Sequence, residues 1–146
     1  MKPRLILLFV LLFAASLALA ACGGGEGGGE TAAPAADGFD PGTLDPSIDV
    51  RTAHAAHGSP NVFMLDVREP DEYDAGHIPG ITLIPMGEIP GRLSEIPTDM
   101  PVIVTCRTGN RSGQVVDFLR EQGFTNVHNM DGGIVAWQKA GYEVEE

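Results

Sequence analysis

Three short apolar runs constrain this chain more than any other feature: Val62-Phe63-Met64-Leu65, Ile81-Thr82-Leu83-Ile84 and Val102-Ile103-Val104-Thr105. Each is flanked by turn formers and is nearly continuous rather than alternating, the pattern of strands covered on both faces. Helical patterns fall around them. Arg51 to His57 predicts a short helix, and Pro70 to Ala75 one or two turns with Pro70 suited to the first. Arg111 to Gln122 is the clearest, with Val115, Val116, Phe118 and Leu119 on one apolar face and Gly123 as a stop. Ile134 to Lys139 repeats the pattern with Trp137 inward and Gly141 as the stop. Asn126 to Met130 is a weaker strand expected nearer an edge, and Ile48-Asp49-Val50 a further short one. Strands alternating with helices predict an α/β domain, a mainly parallel sheet of four to five strands flanked by helices in three layers.

The N-terminal segment stands outside that fold. Lys2 and Arg4 precede an almost wholly apolar stretch from Leu5 to Ala21, which reads as an export signal over residues 1–21; a retained membrane span is the alternative. Leu19-Ala20-Ala21-Cys22 resembles the bacterial lipoprotein signal, which implies cleavage before Cys22 and lipidation there. Acyl chains would then attach the protein to a membrane of the cell envelope, since each buried methylene contributes about 0.8 kcal/mol. Gly23 to Asp37 holds two triple-glycine runs and little apolar surface, so residues 22–44 read as a flexible tether. The folded domain is expected over 45–146. Nine Lys and Arg against twenty Asp and Glu give a net charge of −11. With no basic cluster, nucleic acid is not an expected partner, and membrane attachment must come from lipid rather than charge.

The chemistry points to one loop. The chain has two cysteines, Cys22 and Cys106, so a lipidated Cys22 leaves Cys106 as a lone thiol without a disulfide partner. Cys106 directly follows the most apolar strand, at the end of a parallel strand where open α/β sheets place ligands. Cys106-Arg107-Thr108-Gly109-Asn110-Arg111-Ser112 then leads into a helix. Gly109 can take a positive φ, and successive N–H groups can turn inward as an anion-binding nest ahead of the helix N-terminus. Those donors, with Arg107 and Arg111 nearby, favour the thiolate, the form that attacks electrophilic sulfur.

Three blocks carry a family resemblance. They are Leu65-Asp66-Val67-Arg68-Glu69 through Glu72-Tyr73 and Gly76-His77-Ile78-Pro79-Gly80; Cys106 to Ser112; and Asp131-Gly132-Gly133-Ile134-Val135-Ala136-Trp137 through Gly141-Tyr142. In that order they resemble a single-domain rhodanese, a sulfurtransferase, over about Asp45 to Glu146. The resemblance implies the rhodanese-like three-layer fold and a double displacement through a Cys106 persulfide. Sulfur would pass from an anionic donor such as thiosulfate to a thiol or cyanide, without metal or organic cofactor. It implies that the backbone N–H groups of Arg107 to Ser112 stabilise the persulfide, with the hydroxyls of Thr108 and Ser112 assisting. Arg107 and Arg111 would bind the donor.

Other residues have plainer expectations. Asp66, at a strand end, and Arg68 are supporting residues. Asp66 is expected to tie down a loop or an arginine, and Arg68, Glu69 and Glu72 to form a local ion-pair cluster. His77 is expected to stabilise its turn, because transfer from a thiolate needs no strong base. His54 and His57 lack a third metal ligand and are expected at the surface. Asp131 is expected to cap the last helix, and Trp137 to pack in the core. A Cys-based phosphatase or arsenate reductase is the first rival. Such phosphatases resemble Cys-x5-Arg, whereas Arg111 follows Cys106 after four residues, one short for a tetrahedral oxyanion. The second rival is a non-catalytic envelope persulfide carrier or partner-binding module. An envelope location also admits a redox protein as partner.

Overall fold

The computed structural model describes residues 44–146; Cys22 and the expected signal and tether up to residue 43 lie outside the described residues. Five strands form one sheet: β1 (Ser47–Ile48), β2 (Phe63–Asp66), β3 (Thr82–Leu83), β4 (Val102–Thr105) and β5 (Val127–Met130). Their order is β1-β5-β4-β2-β3, and every pairing is parallel. The helices are α1 (Val50–Ala56), α2 (Pro70–Asp74), α3 (Asn110–Glu121) and α4 (Gly133–Lys139), with two 3-10 segments, Met86–Gly91 and Leu93–Glu95, between β3 and β4.

The period-two alternation of strand side chains divides the core into two layers. Leu65, Val102, Val104 and Val127 face one side and pack on Val115, Val116 and Leu119 of α3 and on Ile89 and Ile96. Met64, Ile103, Ile48 and Met130 face the other and pack on Ala53 and Ala56 of α1 and Trp137 of α4. All four residues of β4 are buried, which explains why its run is the most continuous in the sequence.

Two boundary expectations are corrected. Ile48-Asp49-Val50 is not one strand, because Asp49 caps α1 through its side chain, which accepts from the Thr52 amide at 2.8 Å, and Val50 opens the helix. The Ile81–Ile84 run pairs only at Thr82 and Leu83. Ile81 and Ile84 are buried on either side of it, and the Ile84 amide still donates to Asp66 O of β2 at 2.9 Å.

Candidate active site: a thiol cradle at the end of β4

Cys106 leaves β4 with 1% exposure, between the C-terminal ends of β2 and β5. The chain then turns back toward its own sulfur. Gly109 takes φ 92°, and its amide donates to Cys106 Sγ at 3.2 Å. The fully buried Ser112, in the first turn of α3, donates its hydroxyl to the same sulfur at 3.3 Å. Burial pushes the Cys106 thiol up. The Ser112 hydroxyl and the Ser112, Thr108 and Gly109 amides outweigh it, and the thiol lies below its ordinary value. Neutral donors of the loop, more than arginine charge, are therefore the leading cause of its acidity.

The last helix fastens the loop from behind. The amides of Ile134 and Val135, which open α4 and lack intrahelical partners, donate to Cys106 O at 2.9 Å and Arg107 O at 3.2 Å. This contact requires glycine at position 133, where a Cβ would lie 2.3 Å from Cys106 O and 2.7 Å from Arg107 O. The Asp131-Gly132-Gly133 segment thus serves the thiol loop directly, a role that its position 25 or more residues downstream concealed. Asp131 does not cap α4, correcting the expectation. Gly132 is the cap residue, with no side-chain cap bond, and Asp131 accepts from Ser47 Oγ and Asn129 Nδ2 instead.

The charged residues sort into pairs. Asp66 and Arg68 are both buried and tightly matched. Arg68 Nε and Nη2 donate to the Asp66 carboxylate at 2.7–3.1 Å, and its remaining donors reach Glu72 O at 2.8 Å and Gly76 O at 2.9 Å. Arg68 therefore ties the end of β2 to α2 and the turn beyond. The expected Arg68–Glu69–Glu72 ion cluster does not form, because Arg68 meets only the Glu72 backbone. The Glu72 carboxylate instead reaches 39 residues along the chain to Arg111, with bonds of 2.6 and 2.7 Å. Those bonds hold Glu72 down at about 2 despite partial burial. Arg107 is exposed and has no ion-pair partner among the described residues. Asn110 is exposed and accepts from Gln114 along α3. Thr108 is exposed and bears on the sulfur through its backbone.

His54, His57 and His77 contact aromatic rings and backbone carbonyls. His77 stacks on Tyr73 at 3.7 Å, lies 3.1 Å from Tyr73 O and pairs with Glu145 at 3.3 Å. His54 is exposed and stacks on Tyr142; His57 is half-buried, 2.7 Å from Pro79 O. Trp137 is buried and donates to Glu143 O at 2.7 Å.

A cleft of about 280 Å³ opens beside the loop, lined by Arg68, Glu72, Gly76, Arg107, Ile134 and Val135 among others. A roomier cleft at the opposite end of the strands, lined by Asp99, Asn126 and His128, holds no nucleophilic thiol.

Comparison with known proteins matches the Rhodanese-like domain family over residues 43–140. A sulfurtransferase of Allochromatium vinosum is 43% identical over 84 residues, 58% of this chain and 78% of that protein. A thiosulfate sulfurtransferase of Pseudoalteromonas translucida is 40% identical over 80 residues, 55% of this chain and 76% of that one. The crystal structure of a rhodanese-related protein from Thermoplasma volcanium is similar in fold, with TM-score 0.64 and 33% identity over 69% of this chain and 98% of that one.

Proposed function

Because the chain belongs to the rhodanese-like domain family, we propose that it is a sulfurtransferase that carries sulfane sulfur as a persulfide on Cys106. The observation that carries this reading is the convergence of the Gly109 amide and the Ser112 hydroxyl on one buried sulfur. Donors fixed on an anion before it forms stabilise it without reorganisation. The Cys106 thiolate attacks the outer sulfur of thiosulfate. A new S–S bond forms, the bond to the inner sulfur breaks, and sulfite leaves with that electron pair. The terminal persulfide sulfur then accepts attack by cyanide or a thiolate, and Cys106 returns as thiolate. Arg107, exposed at the mouth, suits an anionic donor.

The same cradle argues against phosphoryl chemistry. Gly109 and Ser112 already close on the sulfur itself, and the loop has one residue fewer than a tetrahedral oxyanion needs. Thiosulfate and cyanide should yield thiocyanate over many turnovers, with Cys106→Ser inactive. Sulfur loading without turnover would instead identify a carrier that releases sulfur to one partner.

The reading also includes an envelope location, supported by the Leu19-Ala20-Ala21-Cys22 sequence. Lipidation at Cys22 would place the domain on a tether at a membrane surface, in reach of a redox protein. Cys22→Ala should move the protein out of the detergent phase or block its processing; unchanged partitioning would overturn the anchor.

A further inference from the structure

The mouth of the thiol cradle holds less positive charge than its sequence suggests. Arg111 is paired through both nitrogens with Glu72, and the coupling reaches the sulfur, since the Cys106 charge is felt at Arg111. Arg68, one of the two guanidiniums that line the cleft, is neutralised by Asp66. Glu69 adds a further negative charge near Arg111. Only Arg107 stands unpaired among the described residues of the cleft, on a chain of net charge −11. A dianion gains twice as much from each added positive charge as a monoanion of the same shape, because the Coulomb energy scales with its charge.

We infer that Glu72 is a specificity-determining residue. By cancelling the Arg111 charge from its place in the cleft wall, it biases Cys106 toward sulfane donors of single or no charge, such as organic persulfides and thiosulfonates, over dianionic thiosulfate. This rests on the sulfurtransferase reading above. Glu72 acts through Arg111 and touches no reacting atom. Its carboxylate stays ionised throughout the working pH range, so the bias is a fixed property of the site.

Methanethiosulfonate is the probe, because it keeps the shape of thiosulfate with one charge fewer. The chemistry is matched. Cys106 forms the S–S bond to the outer sulfur, and methanesulfinate, rather than sulfite, leaves with the electron pair. Loading of Cys106 is followed by intact mass after rapid quenching, with the full chain and both donors. Glu72→Gln should raise the second-order loading rate about tenfold for thiosulfate and about threefold for methanethiosulfonate, a factor near the square root. The gain should shrink as salt rises. Arg111→Gln should shift the ratio the opposite way, and the double variant should return it close to wild type. Arg111→Gln, which leaves Glu72 in place, keeps the test valid if Glu72→Gln folds poorly. A positioning role alone would slow both donors alike and leave their ratio unmoved, which overturns the inference. Failure of every donor to load wild type would instead overturn the sulfurtransferase reading, and this inference with it.

Discussion

Cys106 stands out in the sequence as the candidate reactive residue by its setting: a cysteine at the end of an apolar strand, followed by a glycine-bearing loop and a helix. The sequence named the loop amides, the Thr108 and Ser112 hydroxyls and two arginines as possible donors to the thiolate, without ranking them. Arg107 and Arg111 stood out as charges, but Ser112 and backbone amides make the contacts with sulfur. Which of those donors reach the sulfur is visible only in the geometry: the Gly109 amide and the Ser112 hydroxyl do, and Thr108 contributes its amide. A testable consequence follows for pH. Loading tracks the thiolate, so its rate should rise as pH climbs through the Cys106 pKa, which lies below the ordinary 9.0. Removing the Ser112 hydroxyl in Ser112→Ala takes away one bond to the charged form, so the inflection should move to higher pH. Loading at neutral pH should fall about tenfold, the scale of a hydrogen bond to an ionised group. An unmoved inflection in a pH–rate profile would show that the hydroxyl does not tune the thiol.

At the scale of elements, most of the fold could be read from periodicity. Strand β4 falls on the predicted residues, and the four helices fall within about one residue of their predicted ends. Besides the two strand boundaries, the readings that failed concern partners distant in sequence. Arg68, Glu69 and Glu72 are expected as one local ion-pair cluster, yet the structure sends the Glu72 carboxylate to Arg111 on α3. Asp131 was read as a local cap but bonds to β1 at Ser47. Short-range patterns carry helix and strand periods and say little about which charge meets which across the sheet. The Asp66–Arg68 pair is the element-scale device that holds β2, α2 and the following turn together. Asp66→Asn keeps the shape and leaves the Arg68 charge buried without its counterion. That should cost about 3–5 kcal/mol of stability by urea unfolding. A midpoint within error of wild type would mean that the backbone carbonyls of Glu72 and Gly76 suffice for Arg68.

The whole molecule places one thiol where three structural layers converge. The sheet brings the ends of β2, β4 and β5 together, α3 supplies Ser112, and α4 closes on the loop through Ile134, Val135 and Gly133. The three sequence blocks that resembled a rhodanese are therefore three walls around Cys106. The first block contributes Glu72 and the Asp66–Arg68 stitch, the second the cradle, and the third its backing. The central claim is that this assembly takes up one sulfur atom at Cys106. Intact mass after treatment with thiosulfate or methanethiosulfonate tests it most directly. Wild type should gain one sulfur, lose it on addition of cyanide, and Cys106→Ser should gain none. Equal behaviour of wild type and Cys106→Ser would contradict the account.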